Sequence, residues 1–384
     1  MNFPLNTFEK LETPFYAYDI KLLKDTLDKI QECTAKRPAF RVHYAIKANN
    51  NKEIVSTVAS YGKLGADCVS WGEIEWATRQ GIPAEKIVYS GVGKTDKEIR
   101  NAISIKIGCF NVESFEELKN INRIAEEMGV KAEIALRVNP DIDAHTHPNI
   151  TTGTYEDQFG IPIVQIEGIM GEALKMTGIN LKGLHFHIGS QITEMTPFRQ
   201  LVDVVNDTIN YWESRGINFR WINVGGGLGI DYENPDKNPI ADFESYFSTF
   251  EGIRLREGQE LHFELGRAIV AQCGSLISRV LYIKPGVNKT FAIIDAGFND
   301  LMRPALYEAR HKIDVLTEKD GKKEDKYDVV GPICESTDCF TKAELLPELH
   351  RGDIIAFRSA GAYGESMAST YNMRPMINTM IFNI

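Results

Sequence analysis

Apolar positions along this chain alternate between two periods. Val42, Tyr44 and Ile46 alternate with Arg41, His43 and Ala45, the period-two pattern of a strand with two unlike faces. Comparable short apolar runs predict strands over residues 42–47, 64–69, 86–90, 107–112, 132–138, 183–188, 221–225 and 261–264. The stretches between them carry apolar residues at helical spacing, most clearly Phe198, Leu201, Val202, Val205, Ile209 and Trp212. Eight strand–helix units in this rhythm predict a (β/α)8 TIM-like barrel. A doubly wound open sheet uses the same units and is equally consistent with the spacing.

Both ends of the chain read differently. Thr13-Pro14-Phe15-Tyr16-Ala17-Tyr18 is extended, and Asp19 caps a first helix through about residue 33, with Leu22, Leu23, Leu27 and Ile30 on one face. After about Ala268 the strand–helix rhythm gives way to alternating runs at 276–283 and 290–295 without long helices between them. Glu318-Lys319-Asp320-Gly321-Lys322-Lys323 reads as an exposed hairpin tip with Asp-Gly as its turn. The expected division is a barrel over residues 19–267 and a C-terminal mostly-β domain over 268–384 that the N-terminal segment 1–18 joins.

At 384 residues there is room for two domains, and 43% hydrophobic with 25% charged residues is ordinary for a globular protein. No apolar run approaches the roughly twenty residues of a membrane span, and no signal-peptide pattern opens the chain; the expected location is the cytoplasm, with no membrane partner. A net charge of −10 argues against a nucleic-acid partner. It leaves room for an anionic ligand, since backbone donors bind phosphate locally. Six scattered cysteines show neither Cys-x-x-Cys nor zinc spacing, so free thiols and no metal site are expected.

The chemistry collects where predicted strands end. Lys47 stands where the first strand pattern stops, before Asn49-Asn50-Asn51. A barrel places its catalytic groups at such carboxyl ends, and an amine desolvated there by apolar neighbours is a nucleophile toward aldehydes; the plainer reading is a strand-end lysine reaching solvent. Strand six ends in His185-Phe186-His187-Ile188-Gly189-Ser190, either a metal pair lacking further ligands or an imidazole stacked on a planar cofactor, with Ser190 donating to an anion. Strand seven ends in Gly225-Gly226-Gly227, a tight turn or a phosphate cradle, and strand eight in Glu264-Leu265-Gly266-Arg267, an ion pair or a ring-nitrogen partner beside a phosphate. The C-terminal region adds Arg303-Pro304-Ala305-Leu306-Tyr307, Cys334-Glu335-Ser336 and Ser369-Thr370-Tyr371-Asn372. Lysine, stacking imidazole, phosphate cradle, acid, arginines and thiol together describe pyridoxal 5′-phosphate chemistry.

These motifs, Tyr-Ala-Ile-Lys-Ala-Asn, His-x-His-Ile-Gly-Ser-Gln, Gly-Gly-Gly-Leu-Gly, Arg-Pro-Ala-Leu-Tyr, Cys-Glu-Ser and Tyr-Asn-x-Arg-Pro, closely resemble those of the diaminopimelate decarboxylases, within the alanine-racemase-like (fold type III) enzymes. The resemblance runs from about Thr13 to Pro375. It implies that Lys47 is the lysine that carries the cofactor and His187 the imidazole stacked on its ring. It also implies that Ser190, Gly225, Gly226, Gly227, Gly266, Arg267 and Tyr371 bind the phosphate, and Glu264 the pyridine nitrogen. Arg267, Arg303, Tyr307, Glu335 and Tyr371 match substrate contacts, and Cys334 the cysteine that returns a proton. The resemblance further implies a homodimer with shared active sites, Cys334 and Glu335 coming from the other subunit. Leu265 departs from the proline usual in the family's Glu-Pro-Gly-Arg.

The expected activity is decarboxylation of meso-2,6-diaminopimelate to L-lysine, the last step of lysine biosynthesis. The alternative is a related decarboxylase of ornithine, arginine or carboxynorspermidine. Arg303 speaks against it, because cationic distal ends need no arginine clamp.

Overall fold

The computed structural model describes residues 2–142, 158–319, 321 and 323–383. All eight predicted barrel strands form, as Phe40–Ala45, Gly65–Cys68, Ile87–Tyr89, Cys109–Val112, Ala132–Asn139, Ile179–His185, Trp221–Asn223 and Glu260–Leu265. Each pairs in parallel with the next. The eighth returns to the first, from Leu261 against Phe40 to Leu265 against Tyr44. That closure decides for the barrel over the open sheet.

The barrel interior is graded along its axis. Near the amino-terminal ends of the strands, His43 Nε2 meets His262 Nδ1 at 2.8 Å, and His262 stacks on Trp221 with centroids 3.6 Å apart. Those histidines are packed filling. At the carboxyl ends the inward residues are polar: Asp67, Asn111, Arg137, His185, Asn223 and Glu264, all buried.

Strand six begins earlier than the sequence pattern suggests and ends at His185. His187 therefore sits beyond the ladder, in the loop above it.

The mostly-β part is an eight-stranded sheet centred on Gly274–Pro285. The N-terminal strand Phe15–Asp19 lies antiparallel to it and parallel to Asn378–Phe382. Phe8, Phe15, Ala17, Ile277, Ile354, Ala356 and Phe382 form its core cluster. The first helix, Ile20–Ala35, is capped as expected, Asp19 Oδ1 accepting from the Leu22 N–H at 3.1 Å. Compact units form from Leu27–Gly229 with Asp242–Arg267, and from Met1–Thr26 with Ile230–Ala241 and Ala268–Ile384.

The hairpin expected at 318–323 is a correction. The strand before it, Ile313–Val315, pairs with Ile354–Phe357, whereas the strand after it, Glu324–Val330, pairs with Thr290–Ile294 and Cys339–Pro347. Asp-Gly favours a tight turn locally, but pairing follows which face each strand buries. Asp320 and Lys322 themselves lie outside the described residues.

Candidate active site

The first barrel strand stops at Ala45, and a single 3-10 turn, Ile46–Ala48, follows. Asn51 then caps the helix Lys52–Ser60 by accepting from the Glu53 N–H. Lys47 is thus held at the mouth on a short rigid turn. Its side chain keeps 41% of its area exposed, and Nζ donates to Asp67 Oδ2 at 3.2 Å. The apolar sleeve expected from the sequence is replaced by a carboxylate from the second strand. Burial, then the charge of Glu264, push the Asp67 carboxyl up against the pull of Lys47. Nearby Glu73 accepts the Val69 N–H at 2.8 Å, and its carboxyl is pushed up to about 7, chiefly by burial.

Glu264, near the end of the eighth strand, is buried and fully engaged. Oε1 accepts from Asn111 Nδ2 at 2.9 Å and Asn223 Nδ2 at 2.7 Å; Oε2 faces His185 Nε2 at 3.1 Å. Burial opposes ionisation, but His185 and Lys47 outweigh it and hold the carboxyl well below its usual range. That favours the ionised carboxylate at this end of the barrel.

His187 is the opposite case. Burial, together with the positive charges of Arg137 and Lys47, holds its imidazole well below its usual range, so the ring is neutral at pH 7. The Gly226 N–H donates to Nδ1 at 3.2 Å, which leaves the proton on Nε2. Gly225, at φ +67°, can bear no side chain: a Cβ would stand 2.5 Å from His187 Nδ1. A Cβ on Gly226 would overlap the Glu264 carbonyl oxygen. The Gly225 N–H is itself taken by Asn223 Oδ1 at 2.9 Å. Two of the three glycine donors expected for phosphate are thus spent inside the turn, whose other contribution is room. Ser190 Oγ accepts from Arg267 at 3.0 Å, joining the loop after strand six to the residue that follows Gly266.

The remaining sequence candidates lie in the β unit. Arg303 and Tyr307 share the short helix Arg303–Tyr307. Arg303 is buried, bonded to His311 Nε2 at 2.7 Å and set over the Tyr232 ring at 4.7 Å. Cys334 is exposed, its N–H donating to Asn372 Oδ1 at 3.3 Å; next to it Glu335 accepts a short hydrogen bond from the Tyr371 hydroxyl. Asp338 fixes this loop by accepting from the N–H groups of Ile333 at 2.6 Å and Phe298 at 2.7 Å. So the structure gathers Lys47, His187, Ser190, the glycine turn, Glu264 and Arg267 in the barrel. It gathers Cys334, Glu335 and Tyr371 in the β unit, where Arg303 is engaged instead by His311 and Tyr232.

Residues 23–271 match the family described as pyridoxal-dependent decarboxylase, pyridoxal binding domain. Over 375 residues, 97% of this chain and 96% of the relative, the sequence is 53% identical to the diaminopimelate decarboxylase of Bacteroides thetaiotaomicron. The chain belongs to the diaminopimelate decarboxylase family. A crystal structure of the Helicobacter pylori diaminopimelate decarboxylase complexed with L-lysine superposes with a TM-score of 0.90 at 41% identity, covering 98% of this chain and 93% of that one. A Vibrio vulnificus lysine/ornithine decarboxylase shares the fold at 22% identity and a TM-score of 0.85.

The diaminopimelate decarboxylase cofactor, pyridoxal 5′-phosphate, fits the residues present. An amine, a buried ionised carboxylate, a neutral imidazole and a side-chain-free glycine turn stand at one barrel mouth, which is the donor set a phosphorylated pyridine aldehyde requires.

Asp67, Asn111, Arg137 and Asn223 escaped the sequence reading. Each is a polar residue within an apolar barrel strand. That interruption is the signal that marks them.

Proposed function

We propose that this protein removes carbon dioxide from meso-2,6-diaminopimelate and releases L-lysine, the last step of lysine biosynthesis. Identity of 53% across nearly the whole chain with a diaminopimelate decarboxylase carries the reading, and the charge pattern at the barrel mouth supports it.

When bound, pyridoxal 5′-phosphate supplies an electron sink for the bond that breaks. In this reading Lys47 is the residue that would hold the cofactor at its aldehyde. Glu264, kept ionised by its neighbours, holds a proton on the pyridine nitrogen. His187, kept neutral, would pack against the ring without adding a second positive charge. Ser190, Gly227, Gly266, Arg267 and Tyr371 bind the phosphate, and Gly225 and Gly226, whose N–H groups are already taken, leave it room. Arg267 and Arg303 take carboxylates in planar forks, Glu335 takes the distal ammonium, and Tyr307 and Tyr371 complete the pocket. Cys334 returns a proton to the carbon, directly or through water.

Residues 19–267 carry the cofactor in this scheme, and residues 1–18 with 268–384 carry most substrate contacts. Cys334 and Glu335 act in the partner's site of a homodimer. The exposed Tyr371, Met373 and Met376 beside them are the kind of surface a partner covers. Among the described residues no helix is long and apolar enough to cross a membrane, and we place the enzyme in the cytoplasm.

The deciding assay is lysine formation from meso-diaminopimelate by the purified protein with added cofactor. Release of putrescine from ornithine, with no lysine from diaminopimelate, would mean the wrong substrate class.

A further inference from the structure

Asn223 ends the seventh barrel strand and is completely buried. Its amide is used on both sides. Nδ2 donates to Glu264 Oε1 at 2.7 Å, and Oδ1 accepts the Gly225 N–H at 2.9 Å. The other donors to that carboxylate lead elsewhere: Asn111 Nδ2 also reaches Ser90 Oγ at 2.9 Å, and His185 contributes a ring nitrogen. One planar group thus spans the carboxylate and the glycine turn, with a donor facing the first and an acceptor facing the second.

We infer that Asn223 is a positioning residue that locks Glu264 to the Gly225-Gly226-Gly227 turn, so that the grip on the ring nitrogen and the grip on the phosphate are set by one side chain. This rests on the assignment of Glu264 to the pyridine nitrogen and of the glycine turn to the phosphate. The turn has no slack to find its place otherwise. Gly225 is held at φ +67° with His187 Nδ1 2.5 Å from where a Cβ would stand, and the Gly226 N–H is already bonded to that imidazole. Losing the Asn223 acceptor strands a buried N–H at the first residue of the cradle. Losing its donor removes one of the three hydrogen-bond contacts of the carboxylate.

Only an amide satisfies both neighbours. Aspartate still accepts from Gly225 but sets a second anion against Glu264; leucine fills the space and serves neither.

The test titrates the apoprotein with pyridoxal 5′-phosphate and with pyridoxal, following the cofactor's visible absorbance across pH. The ratio of the two dissociation constants reads the phosphate grip, and the pH midpoint of the nitrogen-15 resonance of ring-labelled cofactor reads the ring nitrogen. Asn223→Leu is expected to shrink the ratio about tenfold, and Asn223→Ala reads the same loss should the leucine variant not fold. Asn223→Asp should keep the ratio within about threefold while moving the midpoint upward, because added negative charge holds the nitrogen's proton to higher pH. Asn111→Ala, which touches the carboxylate but not the turn, should leave the ratio unchanged. A wild-type ratio in the leucine or alanine variant, an unmoved midpoint in the aspartate variant, or an equal loss in Asn111→Ala would overturn the coupling. If instead Glu264→Gln leaves the midpoint of the otherwise normal protein in place, the assignment of Glu264 is what fails.

Discussion

Replacing Glu264 with glutamine separates the charge of this carboxylate from its shape. The glutamine carbonyl can accept from Asn111 and Asn223 as Oε1 does now, at 2.9 and 2.7 Å. Its new NH2 then faces His185 Nε2, and the imidazole must turn acceptor there. It is free to do so, because His185 Nδ1 is buried with no hydrogen-bond partner among the described residues and can carry the proton instead. The substitution therefore keeps the three contacts of the carboxylate at the cost of one buried N–H on His185 Nδ1 with no partner among the described residues, and the melting temperature should fall by only a few degrees. What disappears is the charge that, in the proposed reading, keeps a proton on the pyridine nitrogen. Removing one partner from a buried charge pair costs roughly 3–5 kcal/mol. Since that pairing would matter most in the bond-breaking transition state, the loss falls on kcat, by roughly a hundred- to several-thousand-fold. The assay is carbon dioxide release from saturating meso-diaminopimelate by protein shown by absorbance to be loaded with cofactor. A loaded, folded Glu264→Gln enzyme with kcat within about tenfold of wild type would refute the reasoning.

Arg303→Ala should lower kcat/KM for diaminopimelate by about thirty- to several-thousand-fold with cofactor affinity nearly unchanged; steady-state kinetics with a parallel cofactor titration check it, and an indifferent variant would remove Arg303 from the clamp. Mixing inactive Lys47→Ala and Cys334→Ala proteins under conditions of proven subunit exchange should restore activity, since one hybrid site is intact; continued silence would exclude shared sites. The Glu73 carboxyl, at about 7 in the fold against 4.5 unfolded, binds more protons in the native state across that interval. Its contribution is therefore lost as pH rises from 4.5 through 7, by about 2–3 kcal/mol. Glu73→Gln should gain melting temperature over wild type at pH 8 but not at pH 5, and equal differences at both would contradict the burial argument.

The barrel was legible because each strand carries its own short apolar run and each helix its own stripe, signals that need no long-range information. Lys47, His187, Glu264 and the glycine turn were legible for a related reason: they fall where those runs end. Asp67, Asn111, Asn223 and Arg137 were not, because one polar residue inside a strand looks like a weakened strand until the barrel shows which face it occupies. The desolvated lysine failed in the same way, since its neighbour Asp67 arrives from the next strand and not from the residues beside it. Asp320-Gly321 misled because a turn-forming dipeptide says nothing about which strands will pair. What the glycine turn's sequence did not show is that Asn223 and His187 consume two of its N–H groups, because those side chains come from strand seven and from the loop after strand six.

Barrel closure has a consequence in time as well as in space. Lys47 follows the first strand and Glu264 lies on the eighth, and the two strands are partners. Nothing shorter than the whole barrel can place the lysine beside the carboxylate, so a chain still emerging from the ribosome holds the amine long before it holds the anion. Pairing of strands so distant in sequence is slow relative to the local turns and helices that precede it. Assembly of the whole site then requires closure of the eighth strand against the first, and full cofactor absorbance should return during refolding no earlier than that closure.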